Sequence, residues 1–248
     1  MSELYSTLAP YYDRLMVGID YEKRCEDMIG YCEKAGIKMP CRLLDMGCGS
    51  GEMAIRFAKR GFEVTALDIS EDMLALAESK ARAEGVKLTF VKQDMSSMVL
   101  PHEYDMIICC TDCLNYITEP KKLVSCFRSA KKYLAQGGLF FFDATTQYKF
   151  ENIFACRDYI LEDEGVLLAW QNEYDPESQR CEFILSIFAR EEDGSYRRLD
   201  EIQHQRCYTL RELKEALLKS GLLLCEITAD NVRSKVGEKS ERWNFVVR

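Results

Sequence analysis

Apolar and polar positions follow two rhythms along this chain of 248 residues, and the change between them divides it. Up to about residue 150, short apolar or β-branched runs stand at Leu43 to Asp45, Glu63 to Leu67, Lys87 to Lys92, Tyr104 to Cys110 and Leu139 to Phe142. Between them, Met53 to Arg60, Glu71 to Ala83 and Lys121 to Leu134 carry apolar residues at helical spacing, the last stopped by Gln136-Gly137-Gly138. A near-continuous apolar run such as Tyr104 to Cys110 suits a strand buried on both faces of a parallel sheet. Strand and helix alternating in this way predict an α/β fold with a doubly wound sheet and right-handed connections.

From about Asp158 to Tyr208 the period drops to two. Tyr159 to Leu161, Val166 to Tyr174, Arg180 to Arg190 and Tyr196 to Cys207 alternate apolar and charged residues, separated by the turn-like stretches Asp175 to Ser178 and Glu192 to Ser195. These predict antiparallel hairpins. Thr209 with Glu212 three residues on is a capping box for a helix that ends at Gly221, and strands at Leu222 to Ala229 and Arg242 to Val247 follow. Residues 1–150 and 208–248 are thus expected to form one domain, with 158–207 inserted as an antiparallel unit.

The segment LLDMGCGSG, Leu43 to Gly51, carries the chemistry. An apolar strand ends at Asp45 and breaks into Gly47, Gly49 and Gly51, which let the chain turn sharply and bring bare backbone up to a ligand. A dinucleotide turn places two residues between its second and third glycines, which this order does not. That spacing argues against a nicotinamide oxidoreductase. Polyphosphate is also a poor guest beside Asp45, and a cationic ligand suits the turn better. Asp68 and Asp94 follow the next two strands, so three acids lie along the carboxyl edge of one sheet, where ligands of such folds bind.

This order resembles motif I and the succeeding strand ends of the class I S-adenosylmethionine-dependent methyltransferases. The resemblance implies S-adenosylmethionine as cofactor and a Rossmann-like seven-stranded sheet whose last hairpin supplies one antiparallel strand. It also implies a lid over the substrate side, here 158–207, and an N-terminal helical cover within 1–40, where Tyr12-Asp13 stands as a YD pair. By the same resemblance Asp45, Gly47, Cys48, Gly49 and Gly51 form the cofactor turn, and Asp68 takes the ribose hydroxyls with Ile69 and Met73 beside the base. Asp94 and Met95 lie near the adenine amino group, and the fourth strand brings Cys110 to the same edge. Asp68-Ile69-Ser70 also reads as the N-cap of the following helix, and the two roles are compatible. Tyr12 and Tyr21 either set an aromatic face against the sulfonium or, like Tyr5, Leu8 and Leu15, form a packed helical face.

The expected reaction is displacement at the methyl carbon, driven by near-attack geometry under a lid. Candidates on the acceptor side are Asn115, Tyr116, Tyr148 and Arg206, with Asp143 and His204 as candidate acid–base groups. Asp143 serves equally well as an organiser of backbone at its strand end, and a lone histidine is more often structural. Asn115 departs from the acidic-proline-proline-aromatic signature of enzymes that methylate nitrogen in DNA and some proteins.

A net charge of −8 opposes a polyanionic partner. A small-molecule acceptor is therefore expected, with transfer RNA as the competing acceptor, Lys131-Lys132 and Arg197-Arg198 being read as solvated surface. The same fold would also serve carboxymethyl transfer, with Arg206 or Arg157 on the extra carboxylate, or non-catalytic binding of the cofactor. Twelve scattered cysteines without paired spacings predict reduced thiols in the cytoplasm. Cys110-Thr111-Asp112-Cys113 lacks the second ligand pair that zinc needs, His102 and His204 being the only histidines, and no metal is expected. No leader or membrane span is read in the chain, and a monomer or a homodimer is compatible with it.

Overall fold

A computed structural model describes residues 5, 7–15, 18–230 and 234–248. A short 3-10 turn, Ala9–Tyr11, leads into helix α1 (Tyr12–Leu15), and α2 (Tyr21–Lys34) starts at Asp20, whose carboxylate accepts from the Lys23 N–H at 2.9 Å. The alternating part then runs β1 (Arg42–Met46), α3 (Glu52–Lys59), β2 (Glu63–Asp68), α4 (Glu71–Ala83), β3 (Thr89–Lys92), β4 (Tyr104–Cys109), α5 (Pro120–Tyr133) and β5 (Leu134–Thr145). Ser70 caps α4 through its hydroxyl, so the N-cap reading of that segment holds. The fifth strand is longer than expected. The stretch Gln136-Gly137-Gly138 is an irregularity within it, because Gly138 passes so close to Asp105 that a Cβ would sit 2.8 Å from that carbonyl oxygen.

After α6 (Gln147–Asn152) the period-two region forms β6 (Tyr159–Asp163), β7 (Val166–Asp175), β8 (Arg180–Arg190) and β9 (Tyr196–Arg206). Helix α7 (Leu210–Ser220), with the complete capping box of Thr209 and Glu212, precedes β10 (Leu224–Ala229) and β11 (Arg242–Val247).

Seven strands form one sheet in the order β10-β11-β5-β4-β1-β2-β3, with β11 antiparallel to both of its neighbours. Strands β6 to β9 form a separate antiparallel sheet of four. The side-chain period of two sorts the larger sheet into two cores. Leu44, Ile107, Phe140 and Phe142 face α5 and α7, where Phe142 stacks on Phe245 at 4.4 Å. Leu43, Met106, Ile108 and Phe141 face the other way, with Phe57 and Cys25. A third core joins the inner face of the four-stranded sheet (Leu168, Phe183, Leu185, Ile187) to Phe150, Phe154 and the N-terminal residues Leu8 and Leu15. The N-terminal segment therefore packs on the second sheet while reaching toward the first.

This strand order reverses direction between β1 and β4, which lie side by side although the chain visits β2 and β3 between them. The carboxyl ends of such a pair are the usual place for a ligand in a doubly wound sheet.

Candidate functional site

Asp45 closes β1 with only 2 % of its surface exposed, and its Oδ2 has no hydrogen-bond partner. Burial, reinforced by the nearby Asp68 charge, pushes its carboxyl up to about 7, against a modest opposing pull from the Ala54 N–H. Gly47 sits at φ +74°, and a Cβ there would lie 2.8 Å from the Cys113 sulfur. Gly49, at φ +51°, borders open space. The Gly47 and Cys48 N–H groups donate to the Leu67 carbonyl at 2.7 and 3.0 Å, which ties the turn to the end of β2. Asp68 completes the tie, accepting from the Gly49 N–H at 2.8 Å and the Ser70 N–H at 2.9 Å. Burial raises its carboxyl while these backbone donors oppose the rise.

Beyond the turn lies a cavity of about 260 Å3. Asp45, Gly47, Cys48, Gly49 and Asp68 form one side of it, and Ile69, Met73, Asp94, Met95 and Cys110 continue the wall. Tyr12 and Tyr21, which also pack against the neighbouring cores, line it from the N-terminal segment. Gly51 is not on the wall. At φ +82° it lets α3 approach α4, where a Cβ would meet that of Ala77 at 2.9 Å; its part in the turn is packing. Cys48 and Cys110 also face the cavity with thiols pushed far up by burial, and all twelve cysteines are free. Among the described residues no cluster of metal-ligating side chains occurs.

A second cavity of about 290 Å3 opens between the first and the four-stranded sheet. Tyr5, Tyr12, Thr111 and Tyr116 line both. The Tyr5 hydroxyl donates to Tyr116 at 2.6 Å, and Tyr116 donates to Gln203 Oε1 at 2.7 Å. Gln203 Nε2 in turn donates to Glu201, whose carboxylate accepts the N–H groups of Tyr5, Thr7 and Leu8 at 3.0 to 3.1 Å. Burial holds the phenols of Tyr5 and Tyr116 well above their ordinary range, so both are proton donors and not bases. On the other side Ser50 donates to Asp13 at 2.5 Å and Lys80 pairs with Asp13 at 2.6 Å. Residues 5 and 7–15 are thereby fastened to the glycine turn at one end and to β9 at the other.

Several acceptor-side expectations are corrected. Along β9 the alternation sends Glu201, Gln203 and Gln205 inward and His204 outward, where its side chain is 55 % exposed beside Glu182. Replacing His204 by Ala is expected to leave methyl transfer within twofold of wild type in a steady-state assay, since exposed positions of this kind are nearly neutral. Arg206 also turns away, pairing with Glu212 at 3.1 Å and Gln179 at 2.7 Å. Asn115 is fully buried and acts as a clamp, its Nδ2 donating to the Arg206 carbonyl and its Oδ1 accepting from the Thr145 N–H. Tyr148 lies on α6 and lines neither cavity.

Asp143 is structural as well. Its carboxylate, 2 % exposed, pairs with Arg24 at 2.7 Å and Arg242 at 2.6 Å, and accepts the N–H groups of Thr111 and Asp112 at 2.9 and 2.6 Å. Burial alone would raise its carboxyl, but the two guanidinium groups and the backbone donors hold it well below the carboxylate range. It stabilises an unusual backbone, because Thr111 and Asp112 both lie in the left-handed region, at φ 60° and 55°. Asp112 then carries the network onward, pairing with Arg242 at 2.8 Å and accepting from Gln205 at 3.1 Å. Tyr5 lines both cavities although the sequence suggests only packing for it; Thr111 follows the fourth strand to the same edge, but its left-handed backbone contains no glycine to betray it.

The comparisons with known proteins agree with this geometry. A family described as a methyltransferase domain matches residues 43–138, which span the turn and β1 to the start of β5. A protein of Geobacillus sp. strain WCH70 named as a methyltransferase is 34 % identical over 98 % of this chain and 99 % of its own. YqeM of Bacillus subtilis strain 168, named likewise, is 30 % identical over 98 % and 96 %. The crystal structure of an S-adenosylmethionine-dependent methyltransferase from Clostridium acetobutylicum ATCC 824 superposes with a TM-score of 0.88 at 28 % identity, covering 98 % of both chains. Because the likeness runs from end to end and includes the second sheet as well as the glycine turn, the chain belongs to the class I S-adenosylmethionine-dependent methyltransferases.

Proposed function

We propose that this enzyme moves the methyl group of S-adenosylmethionine to a small-molecule acceptor bound beneath the four-stranded sheet, which serves as its lid. The observation that carries the reading is the meeting of two cavities at Tyr5, Tyr12, Thr111 and Tyr116. A donor in the first and an acceptor in the second would face each other there. The residues of the first cavity fit the donor. Asp45 has an unpartnered buried carboxylate oxygen for a cationic group, the open space at Gly49 admits a ligand against bare backbone, and Asp68 stands at the tip of β2 for the ribose hydroxyls.

The donor supplies a methyl carbon made electrophilic by its sulfonium; everything else falls to the chain. Tyr5 and Tyr116 hold the junction rigid through their shared hydrogen bond, and Glu201 fixes the N-terminal segment over it. Positioning and exclusion of water supply the rate enhancement, and no imidazole faces the junction among the described residues. A narrow site of this kind, in a chain of net charge −8, favours a small acceptor over nucleic acid.

The test is calorimetric titration with S-adenosylmethionine across pH, followed by an acceptor screen with labelled methyl donor. Ionised Asp45 favours a cationic ligand, so affinity is expected to climb as pH rises through about 7. The slope on the acid side approaches about tenfold per pH unit for one linked proton. In the free protein the raised carboxyl has the opposite effect on stability, adding to it below the unfolded value and withdrawing that contribution as pH rises through about 7. Asp45→Asn should flatten the affinity slope. An unchanged slope, or no binding at all, would remove Asp45 or the donor from this site.

A further inference from the structure

Most of the side-chain hydrogen bonds around the acceptor cavity run between residues of its own wall. Its inner wall on the lid is aromatic: Trp170 packs against Phe183 at 5.3 Å and Tyr159 at 5.2 Å, and Phe154 meets Phe183 edge-on at 5.2 Å. Facing it across the space are Tyr5 and Tyr12, themselves in edge contact at 5.6 Å. The polar groups around these rings are committed to one another. Tyr5, Tyr116, Gln203 and Glu201 form one chain of hydrogen bonds, and Gln205, Asp112, Arg242 and Asp143 form another. Lys149 lies over the Phe154 ring at 5.3 Å and is 3.6 Å from Glu241. The charges on the wall are therefore matched, while two of its polar atoms, the Trp170 indole N–H and Gln205 Oε1, are buried with no hydrogen-bond partner.

These observations select among acceptors. A sugar needs partners for several hydroxyls, and beyond Gln205 Oε1 and the Trp170 N–H the hydrogen-bonded groups of the wall would have to break their own bonds to provide them. An anion or a free ammonium would meet no unpaired opposite charge. A flat ring meets aromatic faces on both sides, in the stacked and edge-on geometries that aromatic pairs favour. The volume of about 290 Å3 stands at the lower end of the range for small-molecule sites, about 300–1,000 Å3, and suits a compact ring system.

Resting on the assignment of this cavity to the acceptor, we propose that the acceptor is an uncharged, planar aromatic compound bearing its nucleophilic oxygen or nitrogen on the ring. In the transfer the ring heteroatom's lone pair forms the new bond to the methyl carbon, and the carbon–sulfur bond breaks with its electron pair passing to sulfur. The proton of the ring hydroxyl or amine leaves to solvent through Asp112, the one carboxylate on this wall among the described residues. A hydrogen-bond acceptor elsewhere on the ring would satisfy the Trp170 N–H.

The chain has two tryptophans, so Trp243→Phe leaves Trp170 as the sole indole reporter. This variant, saturated with S-adenosylhomocysteine, would be titrated with phenols, anilines and hydroxyindoles, and in parallel with benzoates and amino sugars. Saturable quenching by the uncharged aromatics alone is expected, weakened about tenfold by Phe183→Leu, which removes one edge-to-face neighbour but keeps an apolar wall. Should Trp243→Phe fold poorly, the wild-type enzyme with labelled donor and the same mixed panel gives an independent answer through the compound that acquires label. Donor binding together with labelling of the amino sugars, or with no aromatic compound bound or labelled, would overturn the aromatic acceptor and leave the methyl-transfer proposal standing. Failure of the donor itself to bind would bring down both.

Discussion

Asp143→Asn is expected to lower the melting temperature by roughly 6–12 °C. The carboxylate is buried between Arg24 and Arg242, and its removal leaves two guanidinium groups without their shared counter-charge. Breaking a buried ion pair from one side costs about 3–5 kcal/mol; the partial exposure of both arginines places this case near about 3 kcal/mol. A chain of this length loses about 2–4 °C per kcal/mol. The amide also puts a donor in place of one of the two oxygens that accept from Thr111 and Asp112, so the left-handed pair at the cavity junction loses one of its two anchors. The sign of the pH dependence follows from the depressed carboxyl. Its stabilisation is complete above the unfolded value of about 3.9 and is lost only as pH falls through the lower folded value. Thermal melts should therefore show a constant gap between wild type and variant around neutrality that closes only in strong acid. A gap that closes near neutral pH would contradict the ion-pair account.

The second large effect concerns Asp68. Its carboxylate holds the glycine turn through the Gly49 N–H and, in the proposed site, accepts the two ribose hydroxyls of the donor. Hydrogen bonds to a charged group contribute about 1.5–3 kcal/mol each, so losing two removes about 3 kcal/mol or more. Asp68→Ala is expected to weaken S-adenosylmethionine binding by about 100-fold or more in calorimetry. The Ser70 hydroxyl still caps α4 in that variant, so helix content by circular dichroism should be nearly unchanged. Wild-type affinity in a folded Asp68→Ala protein would move the ribose contact elsewhere.

What is legible in the sequence and what is not divide along a physical line. Strands β1, β2 and β4 are readable because they are apolar on both faces and end at acids or small residues; the antiparallel sheet is readable from its period of two. The residues proposed for the cofactor side come with those strand ends. The acceptor side resists because the rule that apolar residues face inward is inverted along β9. There Ile202 is 53 % exposed while Glu201, Gln203 and Gln205 are buried, so choosing the inward face by polarity selects the wrong parity and turns His204 toward the site. Local rules fail in this way where function imposes a different one. Tyr5 is hidden for another reason. Its position depends on Glu201, separated from it by 196 residues, and no local pattern encodes that contact. Asp143 stands at a strand end as expected, but its role is fixed by Arg24 and Arg242, whose approach only the folded sheet brings about.

The double fastening of residues 5 and 7–15, by Asp13 to Ser50 and Lys80 and by Glu201 to the backbone near Tyr5, also bears on the timing of turnover. One short stretch of chain lines both chambers through Tyr5 and Tyr12. If donor and acceptor occupy those chambers as proposed, loosening of this one segment would bear on the entry and release of both, and single-turnover chemistry faster than steady-state turnover would show it.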